Sequence, residues 1–425
     1  MEGKLWSNAY SRTTSGRLNN YLKINTVPGV GKQNPYMTRP KTMTHRDRAL
    51  AVLRYQPYDR MPLAHFGFLT EVLEVWAAEG HISHALVKGG DGTPSEHELA
   101  AKLGFDFNWQ NMFYTQHSLR PPFPSEVVAT FPDGRRHVRT GLGAVRVNMP
   151  GTGSIHAEID HLLKDRASWE RHFKPRLQWC PERVTESGVL VSGKTLPFAQ
   201  GGLEYLRRPE REIPLGLHCG SLYGHIRDII GMEGTCYLLA DDEALFTEII
   251  DAIGELCYCN VKYALESGAK FDFAHFWEDI CFKNGPLINP AVFADKVGPH
   301  YRRITTELGK YGLDIVSLDC DGCIDALLPV WFKNGVNTMF PIEVGTWGAS
   351  IKPWREKYGR GLRGVGGVNK RVFSRDRAAV DQEIERLRPL VELGGYIPCP
   401  DHRIPGDCKF ELVRYYTGRM RKIFG

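Results

Sequence analysis

Four short apolar runs between Leu313 and Arg403 each end on a cluster of polar residues. In chain order they are LDIVSL before DCDG, NTMFPI before E, LRGVGG before VNK, and GGYIPC before PDHR. Parallel strands that are buried on both faces read as continuous apolar runs, and functional residues collect where such strands end and helices begin. The pattern therefore predicts an α/β fold, a (β/α)8 or TIM barrel, whose second half carries the functional site.

Eight strands can be placed along the chain, which is the number that a closed barrel needs. We predict strand one at Met61–Phe68, strand two from Gly188 in GVLVSGKTLPF, strand three from Glu212, and strand four in KFDFAHFW. Strands five to eight are predicted to begin near residues 313, 336, 362 and 395. This strand count is the main support for a closed barrel.

The chain is predicted to consist of a basic N-terminal arm over residues 1–42 and a single barrel domain over residues 43–425. The arm lacks hydrophobic periodicity, and Thr44 is predicted to cap the first helix. Within the barrel domain, Asp133-Gly134 lies between two β-rich segments, which is a strong hairpin signal. We interpret residues 105–159 as an inserted hairpin region, after the first strand, that walls the pocket.

Composition excludes several classes of partner. The net charge is +5, but residues 1–42 hold seven Lys or Arg and one acid, which leaves 47 basic and 48 acidic residues in the remainder. Because the remainder is close to neutral, we expect no nucleic-acid partner. The sequence has no apolar run of about 18 residues, so we expect no membrane partner. Ten scattered cysteines without a secretory start favour reduced thiols and a cytoplasmic location.

Residues that follow separate strands are predicted to meet at one mouth of the barrel, because the carboxyl ends of its strands lie on one side. In chain order these residues are His65, His218, His275, Glu278, Asp279, Asp319, Asp321, Glu343, Asn369, Lys370, Asp401, His402 and Arg403. Side chains alternate along a strand, so Asp319 and Asp321 should point one way and Cys320 the other. Carboxylates and imidazoles in this pattern can bind a metal ion, and the carboxylates can equally exchange protons with a substrate.

Each of these residues also has a purely structural interpretation. A strand-end aspartate such as Asp319 or Asp321 can cap the following helix. Glu278 and Asp279 can form an ordinary loop pair, and single histidines are often buried core residues. The charge count still carries information, because a mouth with six carboxylates and few cations favours metals, cations or neutral molecules over polyanions.

Several ordered strings resemble the uroporphyrinogen decarboxylase superfamily, which also contains cobamide-dependent methyltransferases. The strings are FWEDICFKNGPLINP, LDCDGCIDALLPVWFKNGVN, FPIEVG, GVGGVNKR and LGGYIPCPDHRIPGD. The resemblance runs from about Arg46 to the C-terminus and is firmest after Gly188. It implies a TIM barrel with its pocket at the C-terminal ends of the strands.

The chain departs from both branches of that superfamily. In the methyltransferase branch a His-x-Cys pair and a later Cys bind zinc, whereas here Asp319 and Asp321 stand at the pair and His402 lies near the later position. The decarboxylase branch has an Arg-rich loop after its first strand, where this chain has HFGFLTE. Because a substrate with many carboxylates needs cations to hold it, the methyltransferase branch is favoured.

The resemblance and the charge pattern together predict an enzyme that moves a methyl group between a small methylated ether or amine and a corrinoid. A separate corrinoid-binding protein is expected to carry the corrinoid, since the chain has no recognisable cobalamin-binding stretch of its own. The predicted cofactor is a divalent metal, preferably zinc, held by Asp319, Asp321, Glu343 and His402. A homo-oligomer is compatible with the sequence.

Further roles are assigned to the other mouth residues. Catalysis is predicted to use Glu278, Asp319, Lys370 and His402. Substrate binding is predicted to use His65, His218, His275, Asn369 and Arg403. Two alternatives stay open: a decarboxylase that acts on a pyrrolic or other small acid, and a non-catalytic barrel that serves as a binding subunit.

Overall fold

The computed structural model describes residues 43–149, 156–191 and 193–425. The predicted arm over residues 1–42 lies outside the described residues. In the described ranges no helix combines the length and the apolar character that crossing a lipid bilayer requires.

The strands alternate with helices along most of the chain. The strands are β1 (Ala64–His65), β2 (Phe107–Asn108), β3 (Met112–Tyr114), β4 (Glu126–Thr130), β5 (Arg136–Arg139), β6 (Ala144–Asn148), β7 (Glu158–His161), β8 (Gly188–Val191), β9 (Lys194–Pro197), β10 (Gly216–His218), β11 (Phe273–Trp277), β12 (Cys281–Phe282), β13 (Gly285–Pro286), β14 (Val316–Asp319), β15 (Thr338–Ile342), β16 (Arg363–Val368) and β17 (Tyr396–Pro400).

The helices pack mainly around the parallel strands. They are α1 (His45–Leu53), α2 (Thr70–Ala78), α3 (Pro94–Leu103), α4 (Arg166–Ser168), α5 (Glu182–Thr185), α6 (Leu203–Leu206), α7 (Gly224–Asp241), α8 (Glu243–Glu266), α9 (Pro290–Val292), α10 (Gly298–Lys310), α11 (Leu328–Lys333), α12 (Val344–Trp347), α13 (Ile351–Tyr358), α14 (Arg377–Glu392) and α15 (Phe410–Phe424). Short 3-10 or π-helical segments lie at His84–Lys88, Trp169–Phe173, Lys174–Leu177, Phe198–Gly202, Phe293–Val297, Gly359–Gly361 and Lys370–Ser374.

A parallel sheet of seven strands forms the centre of this mixed α/β fold, in the order β17-β16-β15-β14-β11-β10-β3. Its strands β15 and β17 are buried at every residue, which explains their continuous apolar sequences. The strands predicted near residues 270, 313, 336, 362 and 395 all belong to this sheet, so the second half of the strand prediction is confirmed. The predicted cap is also present, since the Thr44 hydroxyl accepts a hydrogen bond of 3.0 Å from the Asp47 amide.

The segment 107–114 occupies the position between the first predicted strand and β10. Its first part, β2, pairs in parallel with β1, and its second part, β3, pairs in parallel with β10. The Gly67 carbonyl accepts from the Ile404 amide, and the Leu69 amide donates to the Ile404 carbonyl. The end of β1 therefore also contacts the segment that follows β17. The part of the predicted insertion that contains β2 and β3 thus lies among the parallel strands.

The prediction of strand two at Gly188 was wrong. The strands β8 and β9 form a separate antiparallel hairpin and do not join the central sheet. Gly193 in the connecting turn has φ of +82°, a conformation that glycine adopts without steric cost. The apolar run GVLV ends at this turn, and the Ser-Gly pair that follows it is a turn signal that separates two short strands.

Residues 126–161 carry a second, four-stranded antiparallel sheet in the order β4-β5-β6-β7. The turn at Asp133-Gly134 joins β4 to β5, as the hairpin signal predicts. This sheet lies between β3 and β8 in the chain and contributes no residue to the central sheet.

Candidate active site

A cavity of about 310 Å³ lies at the carboxyl ends of the central parallel strands. Its aromatic and imidazole wall consists of Phe66, Tyr114, His218, His275, Trp277 and His402. The rest of its lining consists of Gln110, Asp279, Asp319, Asp321 and Arg403. The cavity therefore brings together six of the residues to which the sequence analysis assigns a role: His218, His275, Asp319, Asp321, His402 and Arg403.

Three carboxylates form the acidic centre of this cavity. One oxygen from each of Asp279, Asp319 and Asp321 lies within 4.8 Å of the others. Asp319 ends β14, and Asp321 follows two residues later on the same side, while Cys320 is buried on the other side and accepts from the Ile280 amide. The predicted alternation of these three side chains is confirmed.

Burial and mutual repulsion both disfavour the charged state of this cluster. Burial, followed by the charges of Asp279 and Asp321, raises the pKa of the Asp319 carboxyl well above its usual value. Burial and the charge of Asp321 raise the pKa of Asp279 to about 6. Because like charges this close disfavour one another's ionisation, a bound proton or a cation that enters the cluster would relieve this repulsion.

Asp279 reaches the cluster through an uncommon backbone conformation, with φ of +49°. Its carbonyl accepts a hydrogen bond from the Arg227 guanidinium, and its Oδ1 accepts from the Asp321 amide at 3.1 Å. Sequence reasoning counted Asp279 among the acidic mouth residues but gave it no role as a ligand. Left-handed backbone at a non-glycine residue in such a site is typical of strain maintained for function.

His402 lies at the rim of the cavity beside this cluster. Its Nε2 is 3.2 Å from Asp321 Oδ2, and its ring packs edge-on against Phe66 at a centroid distance of 5.2 Å. The predicted approach of Asp321 and His402, which are 81 positions apart in the chain, is therefore present in the structure.

The remaining predicted acids form a second layer next to the cavity. Glu343 accepts hydrogen bonds from the Gly322 amide at 2.6 Å and from the Thr346 hydroxyl at 2.8 Å. Asp401 accepts from the amides of Gly345 and Lys370 at 2.7 and 3.0 Å. These bonds tie the loops that follow β14, β15, β16 and β17 to one another, so the second layer fixes the rim.

Lys370 supplies a cation to this second layer. Burial lowers the pKa of its ammonium group, although the nearby charges of Asp401, Asp321 and Glu343 oppose that shift. Burial also raises the pKa values of Glu343 and Asp401. Lys370 therefore balances part of the negative charge behind the cavity wall.

Two histidines form a neutral wall on two neighbouring strands, one of which is paired with the strand that carries Asp319. His218 and His275 lie in register on β10 and β11, with ring centroids 6.0 Å apart. Burial lowers the pKa of His218 to about 4 and that of His275 well below its usual value. Among the described residues neither ring nitrogen of His275, which is 1% exposed, has a hydrogen-bond partner. His275 therefore presents unsatisfied polar atoms in the wall of the cavity.

Three predicted site residues lie away from the described cavity lining. The His65 Nε2 is 2.9 Å from Glu96 Oε1, and its Nδ1 accepts from the Gly67 amide. Asn369 caps the helical segment Lys370–Ser374 with its side-chain oxygen. The Glu278 carboxylate accepts hydrogen bonds from backbone amides at the start of α7. His65 Nε2 and Glu96 Oε1 are close but lack hydrogen-bond geometry, whereas Asn369 and Glu278 accept hydrogen bonds from backbone amides of the fold.

Sequence reasoning missed Gln110 and Tyr114. Gln110 Nε2 donates to Asp319 Oδ2 at 2.8 Å, and its Oε1 accepts from the Tyr114 hydroxyl at 3.1 Å. Both residues lie in or beside β3, inside the segment that was interpreted as an insertion. The available signal was the alternation of apolar and polar residues in FNWQNMFY, but strands of two and three residues are too short for periodicity to identify.

Comparisons with known proteins bear on the fold. No protein-family model and no curated protein matches the chain. A solved structure described as a methyltransferase from Methanosarcina mazei superposes with a TM-score of 0.54 at 14% identity, over 90% of this chain and all of that one. A B12-independent methionine synthase from Shewanella sp. W3-18-1 matches at TM-score 0.34 and 12% identity, over 54% of this chain and 66% of that one, which is too loose to support an argument. The first match shows that this chain shares its mixed α/β fold with a solved methyltransferase.

Proposed function

We propose that this protein is a methyltransferase that moves a methyl group between a small methylated ether or amine and a corrinoid carried by a separate protein. The observation that carries the proposal is the cluster of Asp279, Asp319 and Asp321 beside His402, in a cavity at the strand ends of a fold shared with a methyltransferase. Closure of the sheet into a (β/α)8 barrel and membership of the uroporphyrinogen decarboxylase superfamily are parts of this proposal.

Asp319 is the proposed general acid. An ether oxygen leaves poorly unless it receives a proton as its bond to the methyl carbon breaks. Burial raises the pKa of the Asp319 carboxyl, and its Oδ2 accepts a hydrogen bond from Gln110, which leaves Oδ1 as the oxygen that would carry the proton. The electron pair of the broken bond stays on the ether oxygen, which takes that proton. The reduced corrinoid supplies the nucleophile that accepts the methyl group.

In the alternative, metal-dependent form of the proposal, a divalent metal ion would occupy the same cluster, and Asp319 would then be an ionised ligand instead of the general acid. Asp319, Asp321 and His402 are ligands in the predicted set, and the structure adds Asp279 as a third carboxylate. The unpartnered nitrogens of His275 in the cavity wall are a further feature that a cation would satisfy. Oxygen donors with imidazole suit zinc or manganese, and a bound ion would act as a Lewis acid on the leaving heteroatom. Glu343 would orient the Gly322 loop, because both its oxygens already accept hydrogen bonds.

The other lining residues have proposed roles in substrate binding. His218 and His275 offer neutral imidazoles, and Arg403 offers a guanidinium at the edge of the cavity. Lys370 would orient the substrate through the second layer of acids. Of the described lining residues, only Arg403 carries a permanent positive charge, and Asp91 already binds it. No observation therefore favours a decarboxylase for a polyanionic substrate.

The test is an anaerobic assay of the full chain with free cob(I)alamin and a panel of methyl ethers and methylated amines. The absorbance of methylcob(III)alamin reports transfer of the methyl group. We expect turnover with at least one donor, and a rate at least about 100-fold lower in Asp319→Asn and His402→Gln. The control Glu385→Gln, which changes an exposed ion pair on α14, should retain the wild-type rate.

Metal analysis separates the remaining alternatives. A stoichiometric zinc or manganese ion that Asp321→Ala removes would support the metal-dependent form of the proposal. Turnover of a porphyrinogen or another small acid without methyl transfer would overturn it in favour of a decarboxylase. Equal activity of the wild type, Asp319→Asn and His402→Gln would remove this cavity from the reaction.

A further inference from the structure

A second chamber of about 270 Å³ lies beside the cavity, between the segment after β1, the helical segment His84–Lys88, and helix α3. Five apolar side chains contribute to its walls: Phe68, Leu69, Leu73, Leu86 and Leu99. Leu73, Leu86 and Leu99 are almost completely buried. A dry, leucine-lined cavity of about 150 Å³ can bind benzene, so this chamber has room for a hydrocarbon group of about four to six carbons.

Arg403 is the side chain that the two spaces share, since it lines both the cavity and the chamber. On the cavity side its guanidinium lies 5.5 Å from the centre of the Phe66 ring. On the chamber side it forms a two-point ion pair with Asp91, and Asp91 itself lines the chamber. The Arg403–Asp91 pair therefore forms the partition between the acidic cavity and a chamber whose walls combine five apolar side chains with the polar side chains of Thr70 and Glu96.

Because Gly67 has no side chain, the Arg403–Asp91 pair can pack directly against its backbone. Gly67 has φ of +92°, and a Cβ atom built there would collide with Arg403 Nη1 and lie 2.7 Å from Asp91 Oδ1. The side chains of Arg403 and Asp91 are 30% and 26% exposed. Ion pairs of this exposure are weak, so a ligand can separate the two groups at small cost.

A chain of hydrogen bonds connects the partition to the reacting end of the cavity. Asn108 Nδ2 donates to Asp91 Oδ1 at 2.9 Å, and Asn108 Oδ1 accepts from the Gln110 amide at 2.9 Å. Gln110 Nε2 then donates to Asp319 Oδ2. The position of Asp91 is thereby coupled to that of the proposed general acid through the segment between β2 and β3.

We propose that the cavity and the chamber are two subsites of one substrate site. The methylated heteroatom lies at Asp319, and an alkyl group of about four to six carbons passes Arg403 and fills the leucine-lined chamber. This inference rests on the proposed function, since it assigns the substrate class of the same site. It makes the substrate a methylated amine or ether with a hydrocarbon tail.

Binding measurements test the subsite without requiring turnover. Isothermal titration calorimetry compares N,N-dimethylbutylamine with trimethylamine on the full wild-type chain. The butyl compound adds three carbons, and their burial should tighten binding by about tenfold or more. Gly90 lines the chamber at an exposed position, and a Cβ there would meet no atom within 4 Å, so Gly90→Phe can place an aromatic ring at the chamber wall without a steric clash at its Cβ. This variant should remove the preference for the butyl compound and leave the affinity for trimethylamine within about twofold.

Gly309→Phe is the matched control, because a Cβ at this exposed position of α10 also meets open space. It should retain the tenfold preference. A second variant, Leu86→Ala, enlarges the chamber and should shift the preference toward N,N-dimethylhexylamine. Equal binding of the two amines by the wild type, or a preference that survives in Gly90→Phe, would overturn the subsite. If the wild type preferred the butyl compound but transferred no methyl group to cob(I)alamin, the subsite would be supported and the proposed function rejected. If it transferred the methyl group of trimethylamine without preferring the butyl compound, the proposed function would be supported and the subsite rejected.

Discussion

Glu278 and Asp279 are adjacent in the chain, the first buried and the second half-buried, and their carboxylates have opposite surroundings. The Glu278 carboxylate accepts hydrogen bonds from the amides of Leu222, Tyr223 and Gly224 at 2.7 to 3.0 Å and from the Tyr301 hydroxyl. The Asp279 carboxylate accepts from the Asp321 amide and otherwise faces two more carboxylates. One acid is surrounded by donors and the other by like charge.

This difference distinguishes an acid that stabilises the fold, Glu278, from acids that the fold keeps in an unfavourable environment. Glu278 ties β11 to the start of α7, because its oxygens satisfy amides that the first turn of a helix leaves free. The cluster of Asp279, Asp319 and Asp321 lacks that compensation, so in the metal-free protein it costs stability and is expected to serve binding or catalysis. The predictions below test this division in order of the expected change in the free energy of unfolding.

Replacing Glu278 by Ala should have the largest effect. It would leave three buried amides and a buried hydroxyl without their acceptor, and we expect the free energy of unfolding to fall by about 3 to 5 kcal/mol. Urea denaturation followed by circular dichroism measures the change. Glu385→Ala removes an exposed carboxylate that pairs with Arg388 and should cost less than about 1 kcal/mol. A loss below about 1 kcal/mol in Glu278→Ala would show that this acid does not hold the fold.

The pH dependence of the free energy of unfolding should show how much the ionised Asp279 carboxylate destabilises the folded protein. An unfolded aspartate titrates near pH 4, and the folded Asp279 has a pKa of about 6. Between these values the folded state binds more protons than the unfolded state, so stability should fall as the pH rises from about 4 to about 6. The contribution of this residue is about 2 to 3 kcal/mol over that window.

Asp279→Asn isolates that contribution, because it removes the titrating group and keeps the shape of the side chain. Denaturation curves of the metal-free wild type and the variant, at half-unit steps from pH 4 to pH 7, should converge at the acidic end and separate as the pH rises. If the two curves ran parallel, the cluster would impose no electrostatic cost on the fold.

Asp319→Asn should stabilise the metal-free protein by about 1 to 2 kcal/mol, because the substitution removes one of three crowded carboxylates and keeps an acceptor for Gln110. The same variant should bind manganese or zinc at least about tenfold more weakly. Glu343→Gln is the matched control, since both oxygens of Glu343 accept hydrogen bonds and its replacement should bring no gain. Thermal denaturation and calorimetric titration of the metal measure the two effects. If Asp319→Asn were destabilised and bound the metal as tightly as the wild type, Asp319 would belong with Glu278 among the acids that stabilise the fold.

The same contrast explains how much of the site the sequence could predict. Apolar runs that end on acids placed Asp319, Asp321 and His402 at one mouth, because strand direction alone brings such residues together. The runs could not distinguish Glu278 from Asp279, since the difference lies in which amides and charges each carboxylate meets in space. The role of Asp279 depends on a backbone φ of +49°, for which no local residue pattern gives a signal.

The first half of the fold was harder to predict for a different reason. The strands β2 and β3 contain two and three residues, so they have no apolar run, whereas the longer apolar run from Gly188 resembles a barrel strand although it forms the separate β8–β9 hairpin. For this reason the sequence did not indicate that Gln110 and Asn108 lie near the site, where their hydrogen bonds connect Asp319 to Asp91. A short strand inside a sheet is identified by its partners, and those partners are far away in the chain.

His402→Gln should have the smallest effect on stability and a large effect on activity. The side chains of His402 and Asp321 are 28% and 36% exposed, and pairs of this exposure contribute less than about 1 kcal/mol. Loss of a group that positions or exchanges a proton should still lower methyl transfer by about 10²- to 10⁴-fold. Unfolding curves and rates of methyl transfer on the same preparation provide both readouts. We expect Glu278→Ala to lose activity because it unfolds, and His402→Gln to lose activity while it stays folded. If His402→Gln lowered the free energy of unfolding by several kcal/mol, this histidine would, like Glu278, serve mainly to stabilise the fold.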